Sequence, residues 1–156
     1  MSAHPYDLKA ALLASRAQHV ALVHFPIGLF FAAVLFDLLA RWKKNAGLGS
    51  AAYFNFLLAA ISTVPTLASG VLAWQWALAG QPLKGILRWH LAFGWLSAVL
   101  LWMVWLLQRA DRCLPERARV SATVLVELLA LLVVALTGHL GGFLSGVNGV
   151  PAIMKN

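Results

Sequence analysis

Histidine is the residue type in this sequence best equipped for chemistry, because imidazole binds metals and moves protons near neutral pH. Five are present, and His19, His24, His90 and His139 all fall in or beside long apolar runs. Two of them share a pattern: His24-Phe-Pro-Ile-Gly28 and His90-Leu-Ala-Phe-Gly94 both read His-x-x-x-Gly. On a helix, a residue four positions on lies on the same face one turn further along, so each imidazole stands above a bare patch of backbone. Two imidazoles over two glycine gaps, on helices that face each other, suit a flat macrocycle with iron bound from both sides. The expectation is one low-spin haem b with His24 and His90 as axial ligands. His139 is assigned to a propionate or a quinone and is the substitute ligand if its helix turns inward. Arg88, Lys84, Arg16 and His19 lie just outward, where they would receive propionates. Bare copper or zinc is a weaker fit, since no acidic or sulfur ligand lies at that level; Cys113 is the only cysteine, and Met103 and Met154 are placed elsewhere. Against any cofactor stands a plainer reading. Small residues at helix contacts also let membrane helices pack closely with nothing between them, and an imidazole can simply hydrogen-bond a neighbouring helix.

The elements that must carry these side chains are legible from composition. Of 156 residues, 62% are hydrophobic and 11% charged, against roughly a quarter charged in soluble domains. Too few charges exist to coat a water-soluble globule, whereas lipid-facing positions can be apolar. Runs of about 20 apolar residues cross the hydrocarbon, and four are present, from about His19 to Arg41, Ala51 to Leu78, Gly85 to Gln108 and Val120 to Leu144. Pro65 marks a kink in the second. The connections, Lys44 to Ser50, Gly80 to Lys84 and Arg109 to Arg119, are short, which predicts antiparallel neighbours. The fold class expected is an all-α membrane protein, a four-transmembrane-helix up-down-up-down bundle forming one domain over 1–156. A short interfacial helix is expected ahead of it, over Asp7 to Leu13. The first and third helices are then diagonal partners, and His19, His24, His90 and His139 gather at one end. The second helix offers a face of small residues, Ala59, Ser62, Thr66, Ser69 and Ala73. The fourth offers Gly138, Gly141 and Gly142.

The formal net charge of +7 does not point to nucleic acid, because the basic residues cap the apolar runs. Arg41, Lys43, Lys44, Arg109, Arg112, Arg117 and Arg119 flank one side, against Lys9, Arg16, Lys84, Arg88 and Lys155 on the other. The positive-inside rule therefore puts both termini outside the cytoplasm. At the cytoplasmic end, Asp37 precedes Arg41 by four, the spacing of an intrahelical ion pair. Glu127 has no local partner, and Arg41 or Asn55 are its candidates; a proton path and a structural cluster are both open there.

The segment His19-Val-Ala-Leu-Val-His24-Phe-Pro-Ile-Gly-Leu-Phe, the Arg88-Trp-His90 start of the third helix and Thr137-Gly-His-Leu-Gly-Gly-Phe-Leu together resemble the bacterial "VHFPI" membrane domain, the domain of unknown function 2231. The resemblance spans nearly the whole chain. It implies a multi-pass protein of the bacterial inner membrane, in a family suspected of haem binding and of serving periplasmic dehydrogenases or cytochromes. Val20 stands where that family often has proline after histidine, and Asn148 where its tail often has histidine. No nucleophile–base pair, phosphate loop or acid–base dyad is present, so catalysis by the chain alone is not expected; a subunit of an oxidoreductase complex is the form in which it would take part in one. The role expected is electron transfer between a quinone and an extracytoplasmic partner, as a single copy or a homo-oligomer. The alternative is a cofactor-free membrane anchor or assembly subunit.

Overall fold

The computed structural model describes residues 15–77, 79–80, 82–112 and 121–145. The expected N-terminal interfacial helix, Lys9, the Arg16 side chain, Cys113, Arg117, Arg119 and the tail with Asn148, Met154 and Lys155 lie outside the described residues. Helix α1 runs Ser15–Lys43 and α2 runs Ala46–Leu72, continuing into a π-helical turn over Ala73–Ala77. Helices α3 and α4 run Gly85–Asp111 and Ser121–Leu144. All four are long and apolar enough to cross a membrane, and no strand occurs among the described residues.

The α1–α2 connection is tighter than the sequence indicates. Lys44 takes a left-handed conformation (φ 49°), and the Asn45 side chain accepts hydrogen bonds from the backbone N–H groups of Gly47 and Leu48. That cap satisfies donors the first turn of a helix leaves open, so α2 starts at Ala46 rather than near Ala51. At its other end, α2 includes Pro65 and gives way after Leu72 to the π-helical turn. Gly80 closes that end by donating to the Trp74 carbonyl at 3.1 Å. Its φ of 61°, and the 56° of Gly85 at the first position of α3, are conformations that suit glycine.

Packing follows the hairpins: α1 lies mainly on α2 and α3 on α4, α2 joins α3, and the seam between α1 and α4 is thin. The centre holds Phe30, Ala33, Phe56, Ala59, Leu101, Val104 and Ala130, none more than 1% exposed. Alanines bring the helix axes close, and the Phe30 and Phe56 rings meet edge to face at 5.6 Å. Phe25, Phe31, Leu58, Val99, Leu125 and Leu132 point outward. In water that surface would be an aggregation hazard; in a bilayer it is the solvent-matched face.

Candidate functional site

The two ends of the bundle hold different polar groups. At one end, α1 and α3 begin and α2 and α4 finish. There the imidazoles of His19 and His90 face each other with ring centroids 6.3 Å apart and planes at 83°. Both rings are partly buried. His19 Nδ1 bonds the Ser69 hydroxyl at 3.0 Å. His90 Nδ1 donates to the Thr137 carbonyl at 3.1 Å. Each ring also rests on a glycine of the neighbouring helix. A Cβ added to Gly70 would sit 2.9 Å from His19 Cε1, and one on Gly141 would sit 3.1 Å from His90 Cε1. A side chain at either position would press on the ring that rests there.

The ring that meets His90 is therefore His19, and His24 is placed otherwise. His24 is exposed on the outside of α1, its Nδ1 turned back 2.6 Å from the Val20 carbonyl of its own helix. A Cβ on Gly28 would meet nothing within 4 Å, so that glycine opens onto the surroundings of the bundle. Gly94 faces inward, with Leu67 Cδ2 3.9 Å from where its Cβ would lie. His139 is exposed and packs its ring against Phe143 at 5.0 Å. Arg88 and Lys84 are exposed at the same end. Among the described residues no group of three His, Cys, Asp or Glu side chains converges as a metal-binding cluster.

A signal for the His19–His90 pair is present in the sequence. An offset of 71 residues takes His19 to His90, Thr66 to Thr137, Gly70 to Gly141 and Arg41 to Arg112. The same offset takes buried positions to buried positions: Phe30 to Leu101, Ala33 to Val104, Asp37 to Gln108, Ala52 to Thr123, Phe56 to Glu127, Ala59 to Ala130 and Thr63 to Val134. The hairpins α1–α2 and α3–α4 thus repeat one burial pattern, and the two histidines meet where equivalent positions face each other.

At the opposite end, Arg41 Nε donates to Asp37, as the four-residue spacing predicts. Glu127 reaches neither Arg41 nor Asn55 by hydrogen bond: its partner is the Gln108 amide at 2.6 Å, while Asn55 donates to the carbonyl of Ala51. Thr123, one turn before Glu127, donates its hydroxyl to Asp111 at 2.7 Å.

Fold and polar ends together define a polytopic membrane protein, a four-helix bundle with an imidazole pair near one face and a buried acid near the other. A family model described as "Predicted membrane protein (DUF2231)" matches residues 16–152, and the chain belongs to that family. No curated protein and no solved structure matches it.

Proposed function

We propose that this protein is a b-type haem-binding membrane subunit that passes electrons between a quinone and a redox partner outside the cytoplasm, with His19 and His90 in place of His24 and His90 as the axial pair. The observation that carries the reading is the facing of the two imidazoles from diagonal helices. Metal–imidazole bonds of about 2 Å, with ~1 Å more from ring nitrogen to ring centre, mean that two imidazoles that held one iron between them would have centroids at most roughly 6 Å apart. The 6.3 Å separation is close to that limit. The hydrogen bonds fit as well. A ligating histidine ordinarily gives its other ring N–H to a carbonyl or similar acceptor, which fixes tautomer and orientation. Here both Nδ1 atoms are engaged, with Ser69 and Thr137, so each Nε2 is the nitrogen left to bind. Gly70 and Gly141 give the rings their seats.

Bound at this pair, haem would supply a one-electron couple. Arg88 and Lys84 offer positive charge to its propionates, and His139 remains the residue assigned to a propionate or quinone. The excess of basic residues at the Arg41 and Arg109 end supports a bacterial inner-membrane orientation with the histidines toward the periplasm. There a dehydrogenase or cytochrome would be the partner.

A second reading rests on the close fit of His19 against Gly70 and of His90 against Gly141. The imidazoles would then be interhelical clasps in a cofactor-free anchor. Haem content and the reduced-minus-oxidised absorption spectrum separate the two. Haem-loaded protein with a low-spin spectrum supports the first; colourless protein from haem-replete cells supports the second.

A further inference from the structure

Glu127 lies about 15 Å along α4 from Thr137, at ~1.5 Å per residue, and it is fully buried (0% exposed). Its Oε1 accepts the Gln108 amide at 2.6 Å, and its Oε2 has no hydrogen-bond partner among the described residues. The charged groups acting on it are Asp37 and Arg41 from α1 and Asp111 from α3. Arg41 is already committed to Asp37, and none of the three bonds Oε2. A carboxylate with one oxygen unpaired at this depth is costly. The neutral acid costs less: its carbonyl oxygen still accepts from Gln108 and its charge is gone.

Packing does not demand an acid here. At the equivalent place in the other hairpin the fully packed residue is Phe56, so an apolar side chain fills that seat. Two further polar side chains lie between Glu127 and the end of the helices. Thr123 lies one turn away on the same face, is itself buried (3% exposed) and donates to Asp111. Asp111 is only half-buried, at the last residue of α3.

We propose that Glu127 is a proton-binding site inside the membrane, which carries its proton at neutral pH and exchanges it with the adjacent membrane face by way of Thr123 and Asp111. The proposal is independent of haem binding. Infrared spectroscopy of the full-length protein in lipid vesicles tests it. The neutral-carboxyl C=O band expected at neutral pH should vanish in Glu127→Gln. It should shift on transfer to heavy water, and shift more slowly in Asp111→Asn. A hydrophobic carbodiimide, which reacts with protonated carboxyls, should give an adduct on Glu127 by mass spectrometry, suppressed at alkaline pH. The labelling needs no variant, so it decides even if Glu127→Gln fails to fold. Identical neutral-pH spectra for wild type and a folded Glu127→Gln would overturn the proposal, as would wild type unlabelled at Glu127. A band that exchanges equally fast in Asp111→Asn would overturn the access route.

Discussion

Substituting alanine for Gly70 separates the histidine seat seen in the structure from the one the His-x-x-x-Gly pattern implies. A Cβ at position 70 would lie 2.9 Å from His19 Cε1, where ordinary contact begins at 3.4 Å, so the ring must retreat by at least about 0.5 Å. The retreat breaks or weakens the 3.0 Å bond to Ser69, worth about 1 kcal/mol. Overpacking of a fitted interior costs about 1–3 kcal/mol, and replacing a helical glycine by alanine returns at most about 1 kcal/mol. Gly70→Ala should therefore lose about 1–3 kcal/mol net, using the same ranges. Gly28→Ala meets nothing within 4 Å and should be neutral or gain up to about 1 kcal/mol. Gly141→Ala, at 3.1 Å from His90, should fall between them. Equilibrium unfolding of the purified variants in mixed detergent, followed by tryptophan fluorescence and circular dichroism, gives the order directly. If Gly70→Ala unfolds no earlier than Gly28→Ala, the packing of His19 on α2 is refuted.

Asn45→Ala removes the side-chain acceptor at the start of α2 and should cost about 1 kcal/mol in the same unfolding assay. Gln108→Leu takes away the hydrogen bond made to the Glu127 carboxyl and should destabilise by about 1–3 kcal/mol; adding Glu127→Leu should recover part of that loss, a coupling that a double-mutant cycle measures. Reporter fusions after Lys44 and after Gly80 should be cytoplasmic and periplasmic respectively. Periplasmic activity of the fusion after Lys44 would reverse the orientation and put the histidines on the cytoplasmic side.

The four spans were legible because a helix in lipid must be apolar over its whole length, and hydropathy records that directly. The start of α2 was not. Gly47, Gly49 and Ser50 are weak helix formers that read as a loop, and only the Asn45 cap and the tight turn at Lys44 show that the helix includes them. The imidazole pair was half legible. His90 was recognised, but the motif paired it with His24 by looking for room on the histidine's own helix, whereas the room lies on the next one, at Gly70 and Gly141. Five residues separate His19 from His24, a rotation of about 140° on an α-helix, so when one faces His90 the other cannot. Comparing the two hairpins at the 71-residue offset would have selected His19. The Glu127–Gln108 bond joins α3 to α4 across their connection, and no local spacing rule reports such a contact.

The measurement that bears most directly on the His19–His90 pair is the absorption spectrum, oxidised and dithionite-reduced, of wild type, His19→Ala, His24→Ala and His90→Ala purified from haem-replete cells. A low-spin haem b spectrum is expected in wild type and in His24→Ala, with haem lost or turned high-spin in His19→Ala and His90→Ala. Colourless wild type would contradict haem binding altogether. A low-spin spectrum that survives in His19→Ala but is lost in His24→Ala would restore the His24–His90 pairing and contradict the site described for the bundle.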